Sequence, residues 1–164
     1  MSEKIKRTLA YRNRNPLNIR KSNIVRWQGQ TGDEGGFVRF RGFESGYRAA
    51  VKILRSYNLR GIKTIGAIIK TWAPESENDT KAYVRDVLDY MNGVFRLPSH
   101  GGCEEYCART QINLRDREEV VNLLMAMTRI EMGANAAWIH DLKPLAEVGY
   151  DLATTSKDFF VKGM

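Results

Sequence analysis

Residues 72–87, WAPESENDTKAYVRDV, restrict the fold of this chain more than any other segment. Pro74 ends the helix before it, because proline lacks a backbone donor and its ring clashes with the preceding turn. After a polar loop, Asn78 or Asp79 can cap a new helix, with Thr80 able to help. Apolar side chains then recur at helical spacing at Tyr83, Val84, Val87, Leu88 and Met91. The segment predicts two helices joined by an acidic loop, which either forms one wall of a cleft or is simply solvated.

The same periodicity predicts most of the remaining structure. Asn113 is the predicted cap of a long helix that ends at Glu131-Met132-Gly133. Val120, Leu123, Leu124, Met127 and Ile130 give this helix a strong apolar face. The predicted helices cover 45–58, 65–72, 80–92, 113–131 and 144–153, with a short one at 103–109.

A glycine-rich stretch between Trp27 and Phe40 predicts a small β-hairpin near the N-terminus. The fold class is therefore mainly α, or α+β at most. With 164 residues, the chain is expected to form one domain, 1–164, in which 1–11 and 154–164 are peripheral arms.

The charge of the chain points to an anionic partner. The formal net charge is +7, which suits nucleic acid, a membrane surface or an acidic polymer such as bacterial cell wall. No helix-turn-helix or zinc-finger spacing is present, so we expect no specific nucleic-acid binding. No apolar run is long enough to cross a membrane, and the N-terminus lacks a signal-peptide core, so we expect neither membrane insertion nor a signal peptide.

Two cysteines, Cys103 and Cys107, lie four residues apart in HGGCEEYC. This is not the spacing of a zinc ribbon, and only His100 and His140 could complete a site. We expect no metal and no cofactor, while a disulfide and two free thiols both remain open.

The order of motifs resembles a family of phage and prophage proteins known as virion structural proteins or muralytic enzymes. Its pattern is RNNNPxNIR, WxG, a Phe-rich patch, GxRAA, WAPxxENDTxxYxxxV and a late ExG. This sequence has RNRNPLNIR at 12–20, GYRAA at 46–50 and WAPESENDTKAYVRDV at 72–87, followed by Glu131-Met132-Gly133. The resemblance covers residues 12–133.

A second resemblance concerns chemistry. The segments SGYRAAVKIL at 45–54 and DTKAYVRDV at 79–87 are similar to two helices of goose-lysozyme-type soluble lytic transglycosylases. In those enzymes the helix that carries the catalytic Glu comes first. Here LLMAMTRIEMGANAA at 123–137 resembles that helix and comes last. The resemblance implies a lysozyme-like domain with a circularly permuted order, which is physically accessible because chain termini are often close in space. Because the catalytic-type helix then comes last, the resemblance also implies that the helix at about 114–131 is central and buried, packed by the helices around 46–57 and 80–91. NPLNIR followed by WxG also resembles the flagellar-type glucosaminidases.

Three residues are candidates for catalysis: Glu131, Tyr83 and Glu44. Glycoside cleavage needs a carboxylic acid kept protonated by an apolar pocket, and Glu131 at the end of an apolar helix suits this role. The alternative is that it only ends a surface helix. Tyr83 matches the tyrosine that hydrogen-bonds the catalytic Glu in the transglycosylases, although it would equally suit the core. Glu44 is followed by Ser and Gly, as in the Glu-Ser-Gly motif. The alternative is that its negative charge stabilises the N-terminus of the helix that begins there.

Further residues are candidates for binding a glycan. Tryptophans, including Trp138, can stack on sugars, and asparagines can bond acetamido groups, although core packing and turn formation are equally open. Glu77 could supply a second carboxylate. The candidate substrate-binding residues are Asn15, Asn18, Trp27, Trp72, Glu77 and Asn78.

These resemblances imply a phage-type peptidoglycan-cleaving protein, a muramidase or lytic transglycosylase with a single Glu as acid and base. It would act at the periplasmic cell wall, from the virion or within the infected bacterium, with bacterial peptidoglycan and other virion proteins as partners. The alternative is a non-catalytic virion structural protein with the same fold. Met132 stands where the transglycosylases have Ser, and TWAP lacks their AYNAG asparagine.

Overall fold

The structure is a computed structural model that describes residues 8–94, 105–133, 140–162 and 164. The described residues are mainly α-helical, with one β-hairpin near the N-terminus, which confirms the predicted fold class. We number the helices α1 (Leu9–Arg12), α2 (Phe43–Leu59), α3 (Ile65–Trp72), α4 (Thr80–Val94), α5 (Arg117–Glu131) and α6 (Lys143–Thr154). A 3₁₀ turn, His140–Leu142, leads into α6.

Helix α5 is the centre of the core, as predicted. Each of its residues from Glu119 to Thr128 is buried, including the apolar run Leu123-Leu124-Met125-Ala126-Met127. Helices α4 and α6 pack against it. Helix α2 reaches it through Tyr47, whose hydroxyl lies 3.0 Å from the Thr128 hydroxyl. A helix buried on all sides in this way holds a rigid position relative to the elements around it.

Helices α2 and α6 approach each other closely at a glycine. A Cβ atom built on Gly149 would lie 2.5 Å from Tyr47 Cβ and 2.9 Å from the Glu44 carbonyl oxygen. Only a residue without a side chain therefore allows the two helices to pack at this distance. The predicted final helix is confirmed, and it covers α2 as well as α5.

The hairpin consists of β1 (Gln30–Glu34) and β2 (Phe37–Phe40), paired antiparallel. Gly35 and Gly36 form the turn, with φ of 62° and 82°. Both values lie in the left-handed region that a two-residue turn of this kind requires, and glycine adopts it without strain. Val38 and Phe40 point into the core.

Each of the two segments predicted as arms contributes one described residue to the core. Ala10 in α1 is 2% exposed and Phe159 is 1% exposed, so both belong to the core. Phe159 is covered by the cationic groups of Lys52 and Arg55, 5.0 and 5.6 Å from its ring centre. Arg55 also donates to the Phe159 carbonyl oxygen.

Two local predictions are wrong. Residues 105–109, within the predicted 103–109 helix, are not helical, because non-local partners hold them: the Asn92 amide bonds both backbone groups of Tyr106. The cap of α5 is Asp116, which accepts from the Glu119 amide, and Asn113 instead accepts from the Arg115 amide in the turn before it.

Cys103 and His100 lie outside the described residues, while Cys107 is exposed.

Within the described ranges, no helix is both long and apolar enough to cross a membrane.

Candidate active site

Glu131 is the last residue of the buried helix α5. The helix stops here because Gly133 adopts φ of 61°, and the Met132 amide closes the final turn on the Thr128 carbonyl oxygen. Met132 is turned inward and buried. The sequence signal Glu-Met-Gly thus fixes Glu131 at the point where the central helix meets the surface.

The Glu131 carboxyl group is partly buried and held by two side chains. The Tyr83 hydroxyl donates to Oε1 at 3.0 Å, and the Asn18 amide donates to Oε2 at 3.1 Å. Burial raises the pKa of Glu131 above its usual value, while Asn18, Tyr83 and Trp72 oppose the rise by hydrogen bonding and lower it in part. The negative end of the α5 dipole also disfavours the carboxylate. The net effect is a raised pKa, so Glu131 holds its proton at higher pH than an ordinary Glu does.

Tyr83 reaches Glu131 from helix α4. Asp79 caps that helix by accepting from the Ala82 amide at 3.1 Å, which confirms the cap predicted from the sequence. One turn later Tyr83 is only 6% exposed. Burial, followed by the nearby charge of Glu131 and its hydrogen bond, raises the pKa of Tyr83, so its hydroxyl keeps its proton and remains a donor.

Asn18 reaches Glu131 from the loop between α1 and the hairpin. The loop is fixed by Asn15, which is fully buried. The Asn15 amide nitrogen donates to the carbonyl oxygens of Ile19 and Val38, and its oxygen accepts from the Ile19 amide, all at 2.9 Å. Three hydrogen bonds within the protein therefore hold Asn15 in place.

Glu131 opens into a cavity of about 380 Å³. This volume is within the range of small-molecule sites, about 300–1,000 Å³. Of the candidate residues, Asn18, Trp27, Trp72, Glu77, Asn78 and Glu131 line this cavity together. Apolar residues complete its walls: Leu17, Ile19, Val25, Phe37, Ile53, Tyr57 and Ala73.

The walls of the cavity are braced from both sides. Trp72, at the end of α3, packs edge-on against Tyr57 with ring centres 6.4 Å apart. Arg20 donates to Glu77 at 2.7 Å and lies 5.5 Å from the centre of the Phe37 ring. This ion pair connects the loop before the hairpin to the acidic loop of residues 73–79. That loop is therefore a wall of a cleft.

Three candidates do not line this cavity, and of these Tyr83 is connected to it through its hydrogen bond to Glu131. The Asn15 side chain is used within its own loop, and Glu44 lies in the first turn of α2, in contact with Gly42. Neither lines the cavity around Glu131. Trp138 lies outside the described residues.

The sequence interpretation missed Arg20, Phe37 and Tyr57 as parts of the cavity. Arg20 lies with Arg12 and Lys21 in a basic stretch of the sequence, but in the structure each of these three cations is ion-paired with a carboxylate. Phe37 lies in the predicted hairpin and Tyr57 in the predicted helix at 45–58, and nothing in either pattern distinguishes a cavity wall from a core.

Across the described ranges, no three His, Cys, Asp or Glu side chains are grouped as a metal site would require.

No protein-family profile matches the chain. The chain is similar to Protein P5 of Pseudoalteromonas phage PM2, with 40% identity over 83 residues, which cover 48% of this chain and 52% of Protein P5. The chain thus spans about half the length of this phage relative.

Proposed function

We propose that the chain is a phage-type peptidoglycan-cleaving protein, either a muramidase or a lytic transglycosylase, in which Glu131 is the general acid and base. The observation that carries this proposal is the placement of one carboxyl group. Glu131 is partly buried, its pKa is raised by burial, and it opens into a cavity lined by two tryptophans. A protonated carboxyl group in an apolar pocket is what glycosidic cleavage requires of its acid.

The chemistry needs two proton transfers at one carboxyl group. Glu131 donates its proton to the glycosidic oxygen as the bond from that oxygen to the anomeric carbon breaks. The resulting carboxylate is stabilised by the donors Tyr83 and Asn18. It then takes a proton from the attacking nucleophile, which is water in a muramidase and the sugar's own hydroxyl in a transglycosylase.

The cavity walls suit a polar polymer with apolar sugar faces. Trp27 and Trp72 offer surfaces for stacking, and Asn78 and Glu77 offer hydrogen-bonding groups on the same cavity. Arg20 at the lining is ion-paired with Glu77, so the attraction for an anionic polymer comes from the whole chain, which has a net charge of +7. This net charge suits a glycan that bears carboxylates.

Similarity to a phage protein supports a phage role. The proposal places that role in the virion or at lysis, with the cell wall as the site of action. The lysozyme-like fold with a permuted order belongs to the same proposal. It is supported by α5, which is central, ends in the candidate acid and follows the other helices of the site along the chain.

The second candidate is a non-catalytic virion structural protein with the same fold. Met132 favours it, because this side chain packs in the core at the position where the resembled enzymes have a serine beside the acid. The name of the phage relative states no activity.

Incubation of the purified chain with purified peptidoglycan separates the two candidates. The enzymatic proposal predicts soluble glycan fragments in mass spectra, with anhydro-muramic ends from a transglycosylase and reducing ends from a muramidase. Glu44→Gln is the matched carboxylate control for Glu131→Gln. It should retain most of the activity because Glu44 lies outside the cavity. Absence of fragments from the unmodified chain, with binding to peptidoglycan retained, would favour the structural candidate.

A further inference from the structure

The side-chain amide of Asn18 donates both of its hydrogens to one residue, Glu131. Its nitrogen lies 3.1 Å from Glu131 Oε2 and 3.4 Å from the Glu131 backbone oxygen. The backbone oxygen is one of the carbonyl groups that a helix end leaves without an intrahelical partner. One NH₂ group therefore ties the side chain and the main chain of Glu131 together, across 113 positions of sequence.

The backbone at Asn18 is shaped for this contact. Its φ is 49°, a left-handed conformation that few residues other than Gly, Asn and Asp adopt. The backbone N–H of Asn18 donates to the Asn15 carbonyl oxygen, and two of the three Asn15 side-chain bonds hold both backbone groups of the next residue, Ile19. The loop is thus held from both sides, and Asn18 projects from it onto the end of α5.

We propose that Asn18 is a positioning residue for Glu131, and that the Asn15-Pro16-Leu17-Asn18 turn exists to deliver its amide to the acid. This inference rests on the proposed function and assigns Asn18 a role other than direct binding of acetamido groups through its nitrogen. Only its oxygen, which accepts no hydrogen bond from the described residues, remains for a substrate.

The contact also determines where the acidic proton can reside. The Asn18 NH₂ group can only donate, so Oε2 cannot carry a proton on the lone pair that faces it. Tyr83 can rotate its hydroxyl and either donate or accept. The proton of the acid form is therefore directed to the lone pairs that face Tyr83 or the cavity, and the latter is the position from which a glycosidic oxygen can receive it.

The test is the titration of the Glu131 side-chain carboxyl, followed by ¹³C NMR in the folded full chain. Asn18→Gly removes the amide and tolerates the left-handed backbone, so it should raise the pKa of Glu131. Asn18→Asp keeps the shape and the tolerance of φ, but places a carboxylate against Oε2. It should raise the pKa further, by at least about one unit relative to the unmodified chain.

Asn78→Asp is the matched control, since it makes the same chemical change in the same cavity, while among the described residues the Asn78 side-chain amide bonds only the Pro74 carbonyl oxygen. It should shift the pKa of Glu131 much less than Asn18→Asp does. Equal shifts from the two variants, or no shift from Asn18→Asp in a chain with a native circular dichroism spectrum, would overturn the inference. An inactive unmodified chain would refute the proposed function, but the titration would still decide the role of Asn18.

Discussion

At the scale of single residues, the site depends on a balance around one carboxyl group. Burial and the end of α5 favour the protonated form of Glu131, whereas Tyr83 and Asn18 favour the carboxylate. An acid that must both release and recover a proton needs both influences. The same balance makes the stability of the protein depend on pH.

Glu131→Gln is expected to raise the melting temperature at neutral and alkaline pH. Because the folded pKa of Glu131 is raised above the unfolded value, its contribution to stability is present below the unfolded pKa and is lost as pH rises through the folded pKa. Each unit of such a rise corresponds to about 1.4 kcal/mol, or a few degrees in a domain of this size. Thermal denaturation at about pH 4 and about pH 8 should show a difference between variant and parent that appears only at the higher pH. A variant less stable than the parent at the higher pH would contradict the raised pKa.

Tyr83→Phe is expected to reduce glycan cleavage less severely than Glu131→Gln. It removes one hydrogen bond to a charged group, a contribution of about 1.5–3 kcal/mol, which corresponds to about a 10- to 100-fold loss of rate. The Phe ring keeps the packing of this buried position. Rates of fragment release under saturating peptidoglycan measure the effect. An unchanged rate would show that the contact seen at 3.0 Å has no role in the reaction.

At the scale of helices and loops, the site is built where three elements meet. Helix α5 supplies the acid, α4 supplies Tyr83, and the loop of residues 13–20 supplies Asn18. Helix α5 packs directly against α4 and α6, and α6 in turn packs against α2.

Gly149→Ala is expected to destabilise the protein by about 1–3 kcal/mol, because the new methyl group meets Tyr47 Cβ and the α2 backbone. Gly93→Ala in α4 is the matched control: a Cβ there meets nothing within 4 Å, so replacement of a helical glycine should be neutral or stabilise by up to about 1 kcal/mol. Urea denaturation of both variants gives the comparison. Equal effects would show that the α2–α6 contact is looser than the structure has it.

At the scale of the whole molecule, local sequence signals predicted the elements better than their long-range contacts. Hydrophobic spacing and the Glu-Met-Gly stop located α5, and Asp79 was correctly among the predicted caps of α4. The docking of Phe159, the extended path at Tyr106 and the Arg20–Glu77 pair were not predicted, because each depends on a partner distant in sequence. Six of the candidate residues line one cavity. The pairing of Glu131 with Tyr83 was predicted from the resemblance to known motifs and not from periodicity.

The most direct test of the central claim measures binding and cleavage in the same tube, with the parent chain and Glu131→Gln. Gln keeps the shape and hydrogen-bonding capacity of the side chain but cannot donate a carboxylic proton. We expect both chains to sediment equally with insoluble peptidoglycan, and only the parent to release soluble fragments. Release by Glu131→Gln at the parental rate would contradict the assignment of Glu131 as the acid.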